Sequence, residues 1–147
     1  MPENLFDLTG KTAIVTGSTK GIGRQIAYRL AQHGAKVVVS SRKPDAVEAV
    51  TAEINADFPG SAIGIPCNIG YKEQLQLLVD KTRAALGKID ILVCNAAINP
   101  FAGSMLDIPD DAFDKIMASN VKSNAWLCNM VIPEMKERKD SSIIIVS

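Results

Sequence analysis

Five short runs of apolar and β-branched residues, separated by longer segments with helical spacing, constrain the fold of this chain most strongly. The runs lie at residues 12–16, 35–41, 62–67, 89–94 and 142–147. They are apolar throughout rather than alternating, which is typical of strands buried on both faces of a parallel sheet. Strands that alternate with helices predict right-handed βαβ crossovers. We therefore predict an α/β fold of three layers, αβα, with a parallel sheet in the middle.

Four segments between these runs have the spacing of amphipathic helices. They begin at about residues 22, 44, 72 and 109 and end at about 33, 57, 86 and 139. Gly34 can cap the first helix, because glycine adopts the left-handed conformation without steric cost. Pro133 is predicted to kink the fourth helix, because its ring clashes with the carbonyl of Asn129. The pattern predicts one doubly wound domain over residues 1–147.

The charge balance excludes some classes of partner. Lysine and arginine total 16, aspartate and glutamate total 16, and the formal net charge is zero. Such a chain lacks the long-range attraction that nucleic acid or an anionic membrane exerts on a basic protein. No apolar stretch approaches the roughly 20 residues that span a bilayer. We expect no nucleic-acid partner and no membrane partner.

Cysteine and histidine usage indicates the compartment. Cys67, Cys94 and Cys128 are far apart and form no C-x-x-C motif, which is typical of reduced thiols in a cytosolic protein. The first residues lack the basic start and apolar block of a signal peptide. His33 is the only histidine, so a metal site would lack ligands of the preferred kinds. We expect a cytoplasmic protein without a metal site.

The segment TGSTKGIG, at 16–23, brings three glycines between the first strand and the first helix. Ligands of parallel α/β sheets bind at the carboxyl ends of the strands, where a helix N-terminus attracts phosphate. On this interpretation Gly17 allows the tight turn, Gly21 lets the backbone approach a pyrophosphate, and Gly23 lets the helix pack against the strand. The alternative is an ordinary strand-to-helix turn whose glycines serve packing only.

The chain resembles the short-chain dehydrogenase/reductase family through TGSTKGIG at 16–23, NAA at 95–97 and Asn120 in MASNVKS. The segments VVVSSRK, NAAINPF and VIPEMKER look closest to its NADP-dependent carbonyl and retinal reductase branch. The resemblance implies a Rossmann-like sheet with strand order 3-2-1-4-5. It implies hydride transfer between a nicotinamide dinucleotide and a small carbonyl or alcohol substrate. It also implies a homo-oligomer, either a dimer or a homotetramer, formed through the long helix.

The end of the second strand indicates which dinucleotide is bound. NAD-binding folds usually carry an acid there, whereas residues 40–43 read Ser-Ser-Arg-Lys. An arginine grips a phosphate through its fork of donors, and Lys20 adds a second positive charge nearby. We therefore predict NADP(H), with Arg42, Ser41 and Lys20 around the 2′-phosphate. The alternative is that Arg42 and Lys43 are only the solvated start of the next helix.

The resemblance implies the remaining cofactor contacts. They are Ser18, Thr19 and Ile22 beside the glycines, Asn68 and Ile69 after the third strand, and Asn95, Ala96 and Ala97 after the fourth. Asn68 stands where the family usually carries an acid, and its amide oxygen can still accept a bond from the adenine amino group. Ala97 stands where the family usually carries a glycine.

The resemblance also implies a catalytic set: an acid/base tyrosine, a lysine four positions later, a serine at the substrate oxygen, and an asparagine that positions a water. Asn120 matches the asparagine, and a backbone kink there would free its main chain to bind the water. The alternative is a polar residue on the exposed side of a helix. Four positions after Tyr28 and Tyr71, where the family carries a lysine, this chain has Gln32 and Leu75. Ser147 lies one residue before the position expected for the serine.

We therefore expect the N-terminal part of a longer oxidoreductase, truncated after the fifth strand and inactive by itself. Its last strand would present an open edge and an apolar face. The alternative function is a non-catalytic module that binds nucleotide or pairs with full-length subunits. Trp126, Leu127 and Met130 either line a subunit interface or belong to the core.

Overall fold

A computed structural model describes residues 4–147 and contains one parallel sheet of five strands. The strands are β1 (Thr12–Val15), β2 (Lys36–Val39), β3 (Ala62–Gly64), β4 (Ile91–Cys94) and β5 (Ser142–Ile145). Their order in the sheet is β3-β2-β1-β4-β5, and every neighbouring pair is parallel. The predicted fold class and strand order are confirmed, although each strand is shorter than its apolar run.

Five α-helices connect and flank the strands. They are α1 (Gly21–Gln32), α2 (Pro44–Asp57), α3 (Lys72–Leu86), α4 (Asp110–Met117) and α5 (Ser123–Lys136). The first three match the predicted helices, and Gly34 after α1 has the expected left-handed φ of +101°. A short 3-10 helix, Met105–Asp107, lies in the loop before α4.

The fourth predicted helix is divided in two. A π-helical turn, Ala118–Lys122, separates α4 from α5, and we call it the π-turn. There the amide of Ser123 reaches back five residues to the carbonyl of Ala118, which adds one residue to the turn. The backbone irregularity expected at Asn120 is therefore present as this π-turn. Helix α5 continues through Pro133 and ends at Lys136, earlier than predicted.

The core has two halves because successive strand residues face opposite sides of the sheet. Ala13 and Val15 face the side covered by α1 and α2. Ile14 and Leu92 face the side covered by α3 and α5, where Leu127 is also buried. Leu127 is thus a core residue, and Trp126 and Met130 pack, partly buried, against the same cluster.

The sheet edges differ from its centre. Strand β5 pairs only with β4 among the described residues, and Ile144 and Ile145 are 51% and 57% exposed. This matches the open, apolar edge that the sequence predicted. None of the helices within residues 4–147 combines the length and the apolar character needed to cross a bilayer.

Candidate functional site

The glycine-rich loop after β1 lies against the loop after β4. Gly17 has φ +61°, and a Cβ there would stand 2.9 Å from the Cα of Ala96. A Cβ on Gly23 would stand 2.2 Å from the carbonyl oxygen of Gly17. Gly21 has φ +56° but open space beside it. Two glycines are therefore required by packing, and the third leaves the backbone at the start of α1 accessible.

Ser18 joins this loop to the end of β2. Its buried hydroxyl donates to the carbonyl of Val15 at 2.7 Å and accepts from the amide of Ser40 at 2.9 Å. The amide of Ser18 donates in turn to the carbonyl of Ser40 at 2.9 Å. The segments that carry Lys20 and Arg42 are thereby tied together two residues from each cation.

Thr16 and Asn95 join the ends of β1 and β4. The Thr16 hydroxyl oxygen accepts from the amides of Asn95 and Ala96, both at 3.0 Å. The side-chain amide of Asn95 donates to the carbonyl of Gly17 at 3.0 Å. Ala97, the next residue, is exposed. The NAA motif therefore holds the glycine-rich loop from the β4 side.

Cations at this edge of the sheet differ in their pairing: Arg24, in the first turn of α1, pairs with Glu53 on α2, whereas Lys20 and Arg42 do not pair with a described carboxylate. Lys20 precedes the first turn of α1, which contains no acid and no side-chain cap. Lys20 and Arg42 are exposed, and neither forms an ion pair within residues 4–147. Ile22 is 65% exposed, and Thr19 and Ser41 are half-buried. Free amides, two cations and one exposed apolar side chain thus lie at the start of α1 and the end of β2.

The loop after β3 has a defined shape. The side-chain oxygen of Asn68 accepts from the amide of Gly70 at 3.0 Å, and the amide of Asn68 donates to the side chain of Gln74 at 2.7 Å. Ile69 is half-buried and packs against the core. The Asn68 oxygen retains a second lone pair, so it can accept one further hydrogen bond.

Asn120, in the π-turn, holds the loop after β4. Its side-chain oxygen accepts from the amide of Ile98 at 2.8 Å, and its side-chain nitrogen donates to the carbonyl of Ile98 at 2.9 Å. The carbonyl of Asn120 accepts from the side chain of Asn124 at 2.9 Å. The alternative of an exposed polar helix residue is therefore wrong, because both ends of the Asn120 amide are bonded within the protein.

A sequence profile of the family described as short chain dehydrogenase matches residues 11–147 of this chain. The protein belongs to the short-chain dehydrogenase family.

Curated relatives match this short-chain dehydrogenase over nearly all of its length. Dehydrogenase/reductase SDR family member 4 of Bos taurus is 46% identical over 140 residues, which cover 95% of this chain and 50% of the relative. Dehydrogenase/reductase SDR family member 2, mitochondrial, of Homo sapiens is 42% identical over the same shares of both chains. The chain spans about half the length of the curated relatives it matches.

Solved structures of other family members share the fold. A 7α-hydroxysteroid dehydrogenase, solved with NADH and 7-oxo glycochenodeoxycholic acid, has a TM-score of 0.89 and 37% identity. The match covers 97% of this chain and 55% of that one. A metagenomic short-chain oxidoreductase, solved with NADP, has a TM-score of 0.87 and 33% identity over 95% of this chain and 63% of its own.

Sequence reasoning assigned no individual role to several residues that hold the site of this short-chain dehydrogenase, although three of them lie in segments that it singled out. They are Thr16, Ser40, Ser123 and Asn124. Three of them bond to segments far away along the chain, so no local spacing could have identified their partners. Asn124 bonds four residues back, but only because the π-turn presents the Asn120 carbonyl.

Two buried thiols near the site have raised pKa values. Burial raises the pKa of Cys94, the last residue of β4, to about 12, with a further contribution from neighbouring Cys128. Burial alone raises the pKa of Cys67 to about 11. The Tyr28 hydroxyl donates to Asp57 on α2, away from the site. This hydrogen bond raises the pKa of Tyr28. Among residues 4–147 no three potential metal ligands cluster.

Proposed function

We propose that residues 1–147 are the NADP(H)-binding domain of an oxidoreductase that transfers hydride between the dinucleotide and a carbonyl or alcohol substrate. The observation that carries the proposal is the glycine-lined cradle at the start of α1. Packing excludes side chains at Gly17 and Gly23, and the backbone at Gly21 is left open. A backbone surface free of side chains, beside an uncapped helix N-terminus, suits a pyrophosphate.

Lys20, Ser41 and Arg42 are proposed to bind the 2′-phosphate of NADP(H). The segments that carry them are tied together by the bonds between Ser18 and Ser40. Neither cation is neutralised by a carboxylate within residues 4–147, so both remain available to an anion. The absence of an acid at the end of β2 removes the repulsion that would disfavour a phosphate there.

The loops after β3 and β4 are proposed to bind the two ends of the dinucleotide. Asn68 would accept from the adenine amino group through its remaining lone pair, and Ile69 would pack on the base. The small side chains of Ala96 and Ala97 would leave room for the nicotinamide ribose. Asn95 would keep that loop against the glycine-rich loop.

The residues around the glycine-rich loop would hold the dinucleotide, which would supply hydride chemistry when bound. Asn120 would act beside the nicotinamide end by holding Ile98 through two hydrogen bonds. The Asn120 carbonyl retains one lone pair beside its bond from Asn124, and this lone pair can hold a water. A module that binds nucleotide without turnover would share these contacts, and an assay of the full protein with carbonyl substrates separates the two.

The proposal extends to assembly and location. Phe113 and Met117 on α4 are each 42% exposed, and Val121 in the π-turn is 53% exposed. These apolar side chains support a homo-oligomer, a dimer or a tetramer, formed through this helical segment. Sedimentation would detect it as a mass two or four times that of one chain.

The three free thiols are consistent with the cytoplasm, where we expect the protein.

The test is a comparison of NADPH and NADH affinities. Arg42→Asp combined with Lys20→Ala is expected to weaken NADPH binding about 100-fold, because charge-assisted bonds to the phosphate are lost. NADH, which has no 2′-phosphate, should lose less than about threefold. Lys81→Asp with Lys139→Ala is the matched control, since it makes the same change in charge on exposed residues away from the site. Equal losses of NADPH and NADH affinity would contradict the 2′-phosphate assignment.

A further inference from the structure

Ser123, the first residue of α5, connects the π-turn to the loop after β3. The residue is 1% exposed, and its hydroxyl oxygen lies 2.6 Å from the carbonyl oxygen of Ile69 and 3.0 Å from that of Ala118. A hydroxyl has one hydrogen to donate, and the Ala118 carbonyl already accepts from the Ser123 amide. The shorter contact, to Ile69, therefore receives the hydroxyl hydrogen.

The start of the loop after β3 is held by the amide of Cys67, which donates to the carbonyl of Ser41 at 2.9 Å, whereas the other hydrogen bonds of residues 68–71 are local. The Asn68 side chain accepts from Gly70, the Asn68 amide donates to Gln74, and the Asn68 carbonyl accepts from Tyr71. Among the described residues, the Ser123 hydroxyl is the one group from outside this loop and α3 that bonds to residues 68–71. Together with the Cys67 bond to Ser41 at the start of the loop, it therefore fixes residues 68–71 relative to the rest of the site.

The π-turn holds a second loop by the same kind of neutral contact. Asn120 bonds to both backbone groups of Ile98, in the loop after β4. One irregular helical segment thus fixes the loops at the ends of two strands, through Ser123 on one side and Asn120 on the other. An ordinary α-helical turn would bond the backbone groups of 118–123 four residues apart and would not present the side chains in this way.

We propose that Ser123 is a positioning residue of the dinucleotide site, which holds Ile69, and with it Asn68, in the arrangement that receives adenine. The proposal rests on the proposed function above. A loop that is held in place before binding avoids the entropy cost of ordering when the ligand arrives. Removing the hydroxyl should therefore weaken the binding of ligands that carry adenine, although Ser123 itself would not contact them.

The test uses adenosine 2′,5′-bisphosphate, which carries the adenine and the 2′-phosphate but no nicotinamide. Ser123→Ala is expected to raise its Kd about fivefold to tenfold in calorimetry, the effect of losing one buried hydrogen bond. Thr82→Val is the matched control, because the Thr82 hydroxyl is equally buried but donates within its own helix, to Leu78. The control should change the Kd less than about twofold.

Hydrogen exchange on the unaltered protein tests the same idea without a mutation. Saturation with adenosine 2′,5′-bisphosphate should slow amide exchange at 68–71 and also at 118–124. Exchange in the outer part of α2 serves as the internal control. An unchanged Kd in Ser123→Ala, or unchanged exchange at 118–124, would overturn the role of Ser123 and leave NADP(H) binding intact. Failure of the unaltered protein to bind either this nucleotide or NADPH would instead contradict the proposed function itself.

Discussion

The two ends of the parallel sheet are held together by different chemistry. At the carboxyl ends of the strands, neutral side chains such as Thr16, Ser18 and Asn95 join the loops. At the amino ends, charged side chains do so. The fully buried Asp90 accepts from the amide of Thr12 at 2.8 Å and lies 3.0 Å from the ammonium of Lys88.

Further ion pairs complete the amino end. The second carboxylate oxygen of Asp90 lies 3.4 Å from the guanidinium of Arg138, which also donates to the carbonyl of Ile89 at 2.6 Å. Lys11 pairs with Asp140 nearby, and this hydrogen bond lowers the pKa of the Asp140 carboxyl. The charges of these side chains are therefore largely matched within the protein.

This difference supports the proposed position of a charged ligand. An ion pair that the fold already contains has little attraction left for a further ion, whereas Lys20 and Arg42 at the carboxyl end remain unpaired within residues 4–147. Neutral hydrogen bonds shape the carboxyl end without neutralising its cations. Charged side chains at the amino end are matched by ion pairs, whereas at the carboxyl end Arg24 is paired with Glu53 but Lys20 and Arg42 are unpaired within residues 4–147.

The largest expected effect is at the amino end. Asp90→Ala should lower the free energy of unfolding by about 4 kcal/mol, because it leaves two cations and the Thr12 amide without their buried partner. Urea unfolding measures this, and NADPH affinity of the folded fraction should be unchanged. Asp140→Ala, which removes an exposed partner, should cost much less. Similar losses in both variants would contradict the structural importance of burial at this end.

The next effect is at the carboxyl end. Gly23→Ala should cost about 2 to 3 kcal/mol of stability, because the new Cβ meets the backbone of Gly17. It should also weaken NADPH binding more than tenfold, a change of about 1.4 kcal/mol or more, since the glycine-rich loop must move. In Gly21→Ala only the positive φ is strained, so about 1 kcal/mol of stability should be lost. A greater stability loss at Gly21 than at Gly23 would refute the packing argument.

A smaller change tests the neutral contacts alone. Thr16→Val keeps the branched shape but removes the oxygen that accepts from Asn95 and Ala96. We expect a loss of about 1 to 2 kcal/mol in thermal or urea unfolding, together with weaker NADPH binding. Thr82→Val, again the control, should leave the NADPH Kd unchanged. If both variants bind NADPH equally well, Thr16 does not shape the site.

The smallest effect concerns the buried thiols beside the carboxyl end. Their pKa values rise on folding from 9.0 to about 11 for Cys67 and about 12 for Cys94. The stability that this shift provides is complete below pH 9 and falls as pH rises toward 11 to 12, because the unfolded chain loses these protons first. Ionisation of each thiol in the unfolded chain should lower the free energy of unfolding by about 1 kcal/mol between pH 8 and pH 10.

Unfolding measured across that pH range checks the prediction. Cys67→Ala should flatten the alkaline slope of the free energy of unfolding, because it removes a thiol whose pKa burial raises to about 11. An identical slope in the unaltered protein and in Cys67→Ala would show that burial of this thiol does not govern the alkaline limb.

Much of the fold was predictable because its signals are local. Continuous apolar runs indicated buried parallel strands, helical spacing indicated three of the helices closely, and Gly34 marked the end of α1. The glycines of the first loop and the cations near it were also identified from neighbouring residues. The length of each strand was not, because apolar residues continue past the point where strand pairing stops.

The sequence by itself thus determined the order of strands and helices along the chain, the end of the sheet at which we propose that a ligand binds, and the residue types present there. Tertiary structure alone decided which partners hold them: Thr16 bonds to a residue 79 positions away, and Ser123 to one 54 positions away. It also decided the π-turn, which no periodicity in the sequence indicated. The physical reason is that propensity and periodicity act between near neighbours, whereas these hydrogen bonds exist only once the sheet has brought distant loops together.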